Sequence, residues 1–407
     1  MVEIANSAVA ARASIKDVIG KRPPAGTTSP EADAFVPLTA VAAQPWRALA
    51  ERAIEPNGYY LPDWELAVNA SATGRTGVSA LSAWSGTPQA QDGTARLIGL
   101  MPVISMWRAY RIPLPALVSA SPYGTLGTPP LDRDIANQAV ARLLAEARKV
   151  GARALILRDA SLDGAAMNAF GEVLRQHGLR PRTLQSHVRA CLDATGDADQ
   201  LLRDALGSKK LKELRRQRHR LAEYGAVRFD VARRPDDVAS ALETFLRLEA
   251  SGWKARRGTA LMQDDGDAAF IRHAAPALAE MGQCEMVTLR AGATPVASAV
   301  VLRHQDRAFY FKLGVDERFA KLSPGVQLTL DLTRHLCADP AIATADSTAS
   351  ADHPMINPIW RGRFAIGDVL IPLRRNDPVV TLIHAAMRLR RLAREFARRM
   401  VHLIRSR

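Results

Sequence analysis

The sequence predicts an α/β protein of two halves, each a mixed, largely antiparallel sheet flanked by helices, and three observations carry that reading. At 407 residues the chain exceeds what one hydrophobic core usually serves. Its composition, 47% apolar and 24% charged, is that of a globular protein with enough apolar material for two cores. Segments of period-two and period-3.6 apolar patterning alternate along the chain, and the alternation starts afresh beyond residue 195.

Residues 1–38 hold Arg22-Pro23-Pro24-Ala25-Gly26 and lack an apolar run ending in a small-residue cleavage site, so they read as a disordered tail and not as a secretory signal. The first unit, 39–195, opens with two helices marked by Pro45 and Pro62 near their starts. Strands follow at 78–84 and 96–107, the second containing the buried run Leu97-Ile98-Gly99-Leu100-Met101-Pro102-Val103. Then come a helix at 134–150, a strand at 154–157, a helix at 164–177 and a strand at 183–192.

The second unit, 196–377, begins with a basic helix at 199–224 that Gly225 ends. A strand at 226–232 and helices at 235–251 and 267–281 lead into an antiparallel meander, 285–290, 295–303 and 307–313, with turns at Ala291-Gly292-Ala293 and Gln305-Asp306. A helix at 325–337 and strands at 342–345 and 368–373 complete the unit, and 378–407 is a basic amphipathic helix.

No window reaches the 18 to 20 uninterrupted apolar residues, roughly, that a membrane span needs, so the cytoplasm is expected, with peripheral contact at the inner membrane face. Cys191, Cys284 and Cys337 are far apart and without metal or redox spacing; they are expected to be buried, small apolar residues, and no metal site is expected. The net charge of +14 is concentrated. Residues 209–220 carry seven Lys/Arg and one Glu, and residues 388–407 carry eight Arg and one Glu, which together hold +13.

Strand-loop-helix chemistry is expected between Phe309 and Leu336. Tyr310 and Lys312 lie on a strand, a charged loop follows through Lys321, and Ser323-Pro324-Gly325 begins an apolar-periodic helix. Ser323 suits an N-cap and Pro324 the first helical position. The amides of Gly325, Val326 and Gln327 then point toward an anion, with Lys321 adding charge. The G-x-x-x-x-G-K pattern of a Walker loop is missing, and an ordinary helix cap is the plain alternative.

These residues carry a resemblance. The basic helix KKLKELRRQRHRLAEYG, the segment Phe245-Leu246-Arg247-Leu248-Glu249-Ala250-Ser251-Gly252-Trp253-Lys254, and Tyr310-Phe311-Lys312 with Ser323-Pro324-Gly325 resemble the CelD-like, cellulose-biosynthesis branch of the GNAT acyltransferases, itself similar to FemABX transferases. Trp46, Trp64, Gly99-Leu100-Met101-Pro102 and Pro122-Tyr123-Gly124 extend it over about residues 40–375. The resemblance implies two GNAT-like halves and transfer of an acyl group, usually acetyl, from acyl-CoA to an amine or hydroxyl on a small molecule or saccharide, in polysaccharide or cell-envelope synthesis. An aminoacyl-tRNA donor, or a catalytically silent scaffold, is the alternative. Trp253, Lys254 and Lys312 fall on the substrate side, Lys254 having a helix cap as its plain role.

This chain departs from the family where a Gly-x-x-x-Tyr-Lys segment is usual, having Asp346-Ser347-Thr348-Ala349-Ser350-Ala351-Asp352-His353-Pro354 instead. Acyl transfer needs a proton acceptor and a donor to the developing oxyanion. His353 is the candidate base, Asp346 the group orienting the acceptor, and Tyr310 the proton donor to the leaving thiolate. The structural alternatives are a loop histidine, an Asx turn and a core aromatic. In the last helix Leu382, Ala386, Leu389, Ala393, Phe396, Met400 and Leu403 form one stripe, with Arg390, Arg394 and Arg398 on another face. Residues 382–405 are thus expected to meet an anionic membrane or a partner protein, or to pack on their own domain. The basic stretch 209–220 has no aromatics for base stacking, so nucleic acid other than tRNA is not expected.

Overall fold

In the computed structural model, residues 35–86, 95–252 and 256–405 are described. The expected tail up to residue 34, together with Trp253 and Lys254, lies outside them. The first half runs β1 (Phe35–Pro37), α1 (Ala43–Glu51), α2 (Pro62–Ser71), β2 (Ser79–Trp84), β3 (Leu97–Ser105), α3 (Met106–Tyr110), β4 (Ala116–Ser119), α4 (Ala136–Lys149), β5 (Ala154–Ser161), α5 (Ala165–Gln176) and β6 (Arg182–Asp193). The second runs α6 (Ala198–Leu221), β7 (Val227–Ala232), α7 (Pro235–Ser251), α8 (Asp265–Glu280), β8 (Cys284–Ala291), β9 (Thr294–His304), β10 (Arg307–Val315), α9 (Pro324–Cys337), β11 (Thr344–Asp346) and β12 (Gly362–Pro372), ending in α10 (Pro378–Arg405).

All twelve strands join one sheet in the order β1-β2-β3-β4-β5-β12-β6-β11-β10-β9-β8-β7. Two pairs are parallel, β4 with β5 and β10 with β11, each connected through a helix, α4 or α9; the other pairs are antiparallel. The halves are interlocked. β12 leaves the second half to lie between β5 and β6, while β6 joins β11 on its other side.

Pattern and structure agree best where a helix has a strong apolar stripe and a clean start. α7 begins at Pro235 with Asp236 and Asp237 in its first turn and buries Val238, Leu242, Phe245 and Leu246. Elsewhere the structure corrects the expectation. The basic helix is broken at Gly207 (φ 70°, ψ 163°), a conformation open to glycine, so α6 is two segments merged across a kink. The strand expected from 368 begins at Gly362. It carries Gly367 where a Cβ would lie 2.5 Å from the Gln185 carbonyl oxygen of β6. β1, β4 and α3 are short elements that the pattern did not separate. Cys284 is buried as expected, but Cys191 and Cys337 are only half-buried because they sit toward strand and helix ends.

One core belongs to both halves. Tyr59, Leu61, Trp64 and Leu126 pack with Phe245, Phe270, Leu302 and Phe309, and Trp64 meets Phe270 edge-on at 4.9 Å. Beside it, the buried His304 imidazole accepts the Asn57 amide at Nδ1 (2.8 Å) and donates from Nε2 to the Ala50 carbonyl (3.0 Å). The opposite face of the second half is covered by α6 and α9, over a core that includes Tyr310, Leu328, Leu332 and Trp360.

Candidate active site

β10 and β11 pair only through Arg307–Phe309 and Thr344–Asp346; β10 continues to Val315 with β9 alone, while β11 ends at Asp346. A gap therefore opens in the middle of the sheet. At its mouth the β9 register skips Phe311, a bulge between Tyr310 and Lys312 that turns successive side chains to unaccustomed directions. A cavity of about 670 Å³ occupies the gap, walled by residues 310–313, 323–326 and the loop 347–356. It reaches both faces of the sheet. Tyr310 packs on Trp360 and α9, whereas Phe311 packs on Trp64 and Tyr59 across the sheet, and both line the cavity.

On the α9 face the cavity meets a helix N-terminus. Pro324 has no N–H, and the first helical bond is made by the Gln327 amide to the Ser323 carbonyl (3.0 Å). The amides of Gly325 and Val326 precede that bond, at the positive end of the helix dipole. Gly325 packs directly on β10: a Cβ there would lie 3.0 Å from Leu313 Cδ2 and 3.2 Å from Val315 Cγ1. Ser323 stands at the N-cap position but adopts φ 52°, ψ 51°, and its hydroxyl makes no capping bond. Ser323 still lines the cavity, whereas Gln327 does not. Its amide is used within the helix and its side chain donates to the Leu214 carbonyl (2.7 Å), tying α9 to α6. Lys321 is exposed on the turn Glu317–Leu322 and stays out of the cavity lining.

Tyr310 and His353 line the cavity; Asp346 does not. The Tyr310 hydroxyl pairs with Thr329 Oγ1 (3.2 Å), which itself donates to the Gly325 carbonyl (2.8 Å). Burial raises the pKa of the phenol, so it remains a hydrogen-bond donor at any physiological pH. Asp346 is buried in an ion pair with Arg189 of β6, and it also accepts the Thr348 amide (2.9 Å). Arg189 donates in addition to the Thr125 carbonyl (2.7 Å) and hydroxyl (2.8 Å). The geometry gives Asp346 a bracing position at the base of the gap, because its oxygens are already engaged.

Across the sheet, residues from both halves gather around Phe311 and Lys312. Lys312 Nζ donates to Glu249 Oε1 of α7 (3.2 Å), whose Oε2 accepts the Leu261 amide (2.9 Å). Tyr123, held at φ 56° in a first-half loop, donates its hydroxyl to Asp267 of α8. The Arg75 guanidinium lies 4.2 Å and Lys312 Nζ 5.9 Å from the Tyr123 ring. Glu249, Asp267 and Arg75 were missed as site residues. The available signal was a carboxylate in the buried stripe of α7, between Leu248 and the helix end.

The first half has the matching parallel pair, β4 and β5, but there the opening is filled. Arg158 donates through Nε to the Ser119 carbonyl (2.9 Å), its amide bonds Ser119 Oγ (2.9 Å), and the Gly127 amide bonds the Asp159 carbonyl (3.0 Å). Before α4, Asp132 is already ion-paired with Arg52 (3.0 Å) and Arg96 (3.3 Å). Among the described residues no group of three His, Cys, Asp or Glu could hold a metal ion.

Residues 208–353 match the acetyltransferase (GNAT) domain family. That span runs from the basic stretch of α6 to His353 and so contains β10, the start of α9 and most of the loop that wall the gap. The full chain has a two-lobed, GNAT-like fold. It aligns with the crystal structure of FemX at a TM-score of 0.54 and 13% identity, covering 84% of this chain and 98% of FemX. L-PGS from Bacillus licheniformis aligns at 0.45 and 14% identity over 83% of this chain and 98% of that one. A tandem GNAT protein from the clavulanic acid biosynthesis pathway aligns at 0.39 and 14% identity, over 84% and 99%. No curated protein matches the sequence. None of the helices described is long and apolar enough to cross a membrane.

Proposed function

We propose that this protein transfers an acyl group, acetyl in the simplest case, from acyl-CoA held in the β10–β11 gap to an amine or hydroxyl acceptor. The single observation that carries the reading is the cavity that begins at the Gly325 and Val326 amides and passes through the sheet to Phe311 and Lys312. GNAT domains generally use acyl-CoA, and the matched span includes most of the residues that line that cavity, from Tyr310 to His353.

In this reading the CoA phosphates rest on the amides of Gly325 and Val326. The thioester lies beside the bulge, where a β10 backbone N–H can stabilise the oxyanion. The acceptor enters from the α7 face past Lys312 and Glu249. Its nitrogen or oxygen attacks the carbonyl carbon, the C–S bond breaks, and the acceptor proton passes to His353. Tyr310, whose phenol burial keeps protonated, turns its O–H from Thr329 Oγ1 to donate a hydrogen bond to the departing sulfur. Thermal unfolding with millimolar CoA or acetyl-CoA tests the donor: a rise of several degrees is expected, and no shift with either ligand would sink the proposal. A saccharide or cell-envelope acceptor is the extension that the CelD-like resemblance suggests.

The alignment over nearly all of FemX favours a second reading, an aminoacyl-tRNA donor, and the exposed Lys209, Lys210, Lys212, Arg215 and Arg216 of α6 would suit RNA phosphates. Salt-sensitive tRNA binding without CoA stabilisation would select it.

A further inference from the structure

α10 has two apolar faces, and only one is covered. Val380 and Ile383 are buried and Met387 half-buried in a cluster with Leu370, Ile156, Met106 and Val118. Arg391 Nη1 bonds the Leu184 carbonyl (3.0 Å), and the Arg390 guanidinium covers the Tyr110 ring at 4.8 Å. These contacts fix the helix against the sheet along one side. The other side leaves Leu382 54%, Leu389 69%, Leu392 55%, Phe396 66% and Met400 42% exposed, although helical spacing puts all five on one stripe.

From these observations we propose that this exposed stripe docks α10 flat on an anionic lipid bilayer. Charge decides the occupant. Residues 378–405 hold seven Arg and a single acidic residue, Glu395, which is itself paired with Arg391 (3.2 Å). Arg388 and Arg394 are exposed. An uncovered apolar stripe on a helix so strongly basic matches a surface that offers acyl chains beneath a layer of negative headgroups. The helix cannot span a membrane, which leaves a position in the interface plane. On the neighbouring α3, Met106 and Tyr110 pack into the cluster under α10, while Trp107 is 53% exposed with the Arg111 guanidinium 5.7 Å from its ring. Tryptophan with arginine is the side-chain pairing that suits the headgroup level.

The test is co-sedimentation of the full chain with vesicles of phosphatidylcholine alone and of phosphatidylcholine containing about one third phosphatidylglycerol. Binding is expected to the anionic vesicles only, weakened about tenfold or more at high salt. The double variant Leu389→Glu/Phe396→Glu should abolish it and Arg388→Gln/Arg394→Gln should weaken it about fivefold or more, with circular dichroism unchanged because all four side chains are exposed. The proposal is overturned by absence of binding to anionic vesicles, by equal binding to neutral ones, or by binding that both double variants retain. It is also overturned if Leu389→Glu/Phe396→Glu abolishes concentration-dependent self-association of a chain that ignores vesicles, which gives the stripe to a second copy.

Discussion

His304 joins the two halves only while neutral, since Nδ1 accepts from Asn57 and Nε2 donates to Ala50. Burial, opposed by the bond to Ala50, lowers its pKa from 6.5 to about 4. Between those values the unfolded chain binds a proton that the folded chain refuses, so stability falls as pH drops from about 6.5 to about 4. The loss is on the order of 2–3 kcal/mol. His304→Gln should flatten that part of the pH–melting curve, and an unchanged slope would show that His304 is not the titrating group. Glu65 runs the other way. Burial raises its pKa well above the usual carboxylate value, with Arg75 opposing, so the folded chain holds the extra proton and stability falls as pH rises. Glu65→Gln should therefore raise the melting temperature more at pH 8 than at pH 5. At the gap, Asp346→Ala leaves Arg189 buried and uncompensated, with an expected loss of about 3–5 kcal/mol. His353→Gln should instead lower turnover and leave the melting temperature almost unchanged, because His353 sits in a loop at the cavity wall. Equal destabilisation by both would remove the distinction between brace and base.

Among elements, α9 links the sheet to the proposed donor site, and its first turn depends on the missing side chain of Gly325. A valine would drive its Cβ against Leu313 and Val315 and extend methyl groups into the cavity. Gly325→Val should weaken CoA binding by about tenfold or more and cost roughly 1–3 kcal/mol, measured by calorimetry and thermal unfolding. Retained affinity would move the phosphates elsewhere. The same element explains what the sequence made legible. Tyr310, Ser323 and Gly325 lie within one strand-loop-helix passage, so local pattern brought them together. Periodicity also delimits α7, whose apolar stripe and Pro235 start are local. It was silent on the Arg189–Asp346 pair and on Tyr123, Arg75, Glu249 and Asp267, which meet only through pairings between distant segments. Ser323 marks a further limit: its residue type suits a cap, but the left-handed backbone turns its hydroxyl aside. The four-residue β4 is too short for alternation to register.

Across the whole molecule, the sheet is closed by strands that cross the chain's midpoint. Residues 1–195 include β5 and β6 but not β12, which separates them; residues 196–407 include β11 and β12 but not β6, to which both bond. Each half alone therefore exposes long unpaired edges, and β12 loses both neighbours at once. The shared core of Trp64, Phe270 and Phe309 would also be cut in two. If the chain is split between Thr195 and Gly196, in the turn before α6, each fragment expressed alone is expected to aggregate, while the two expressed together co-purify as one complex. Size-exclusion chromatography and thermal unfolding read the outcome directly. A second-half fragment that is soluble alone and unfolds cooperatively would mean that β12 can find another partner, and that the β10–β11 gap does not need the first half to hold it open.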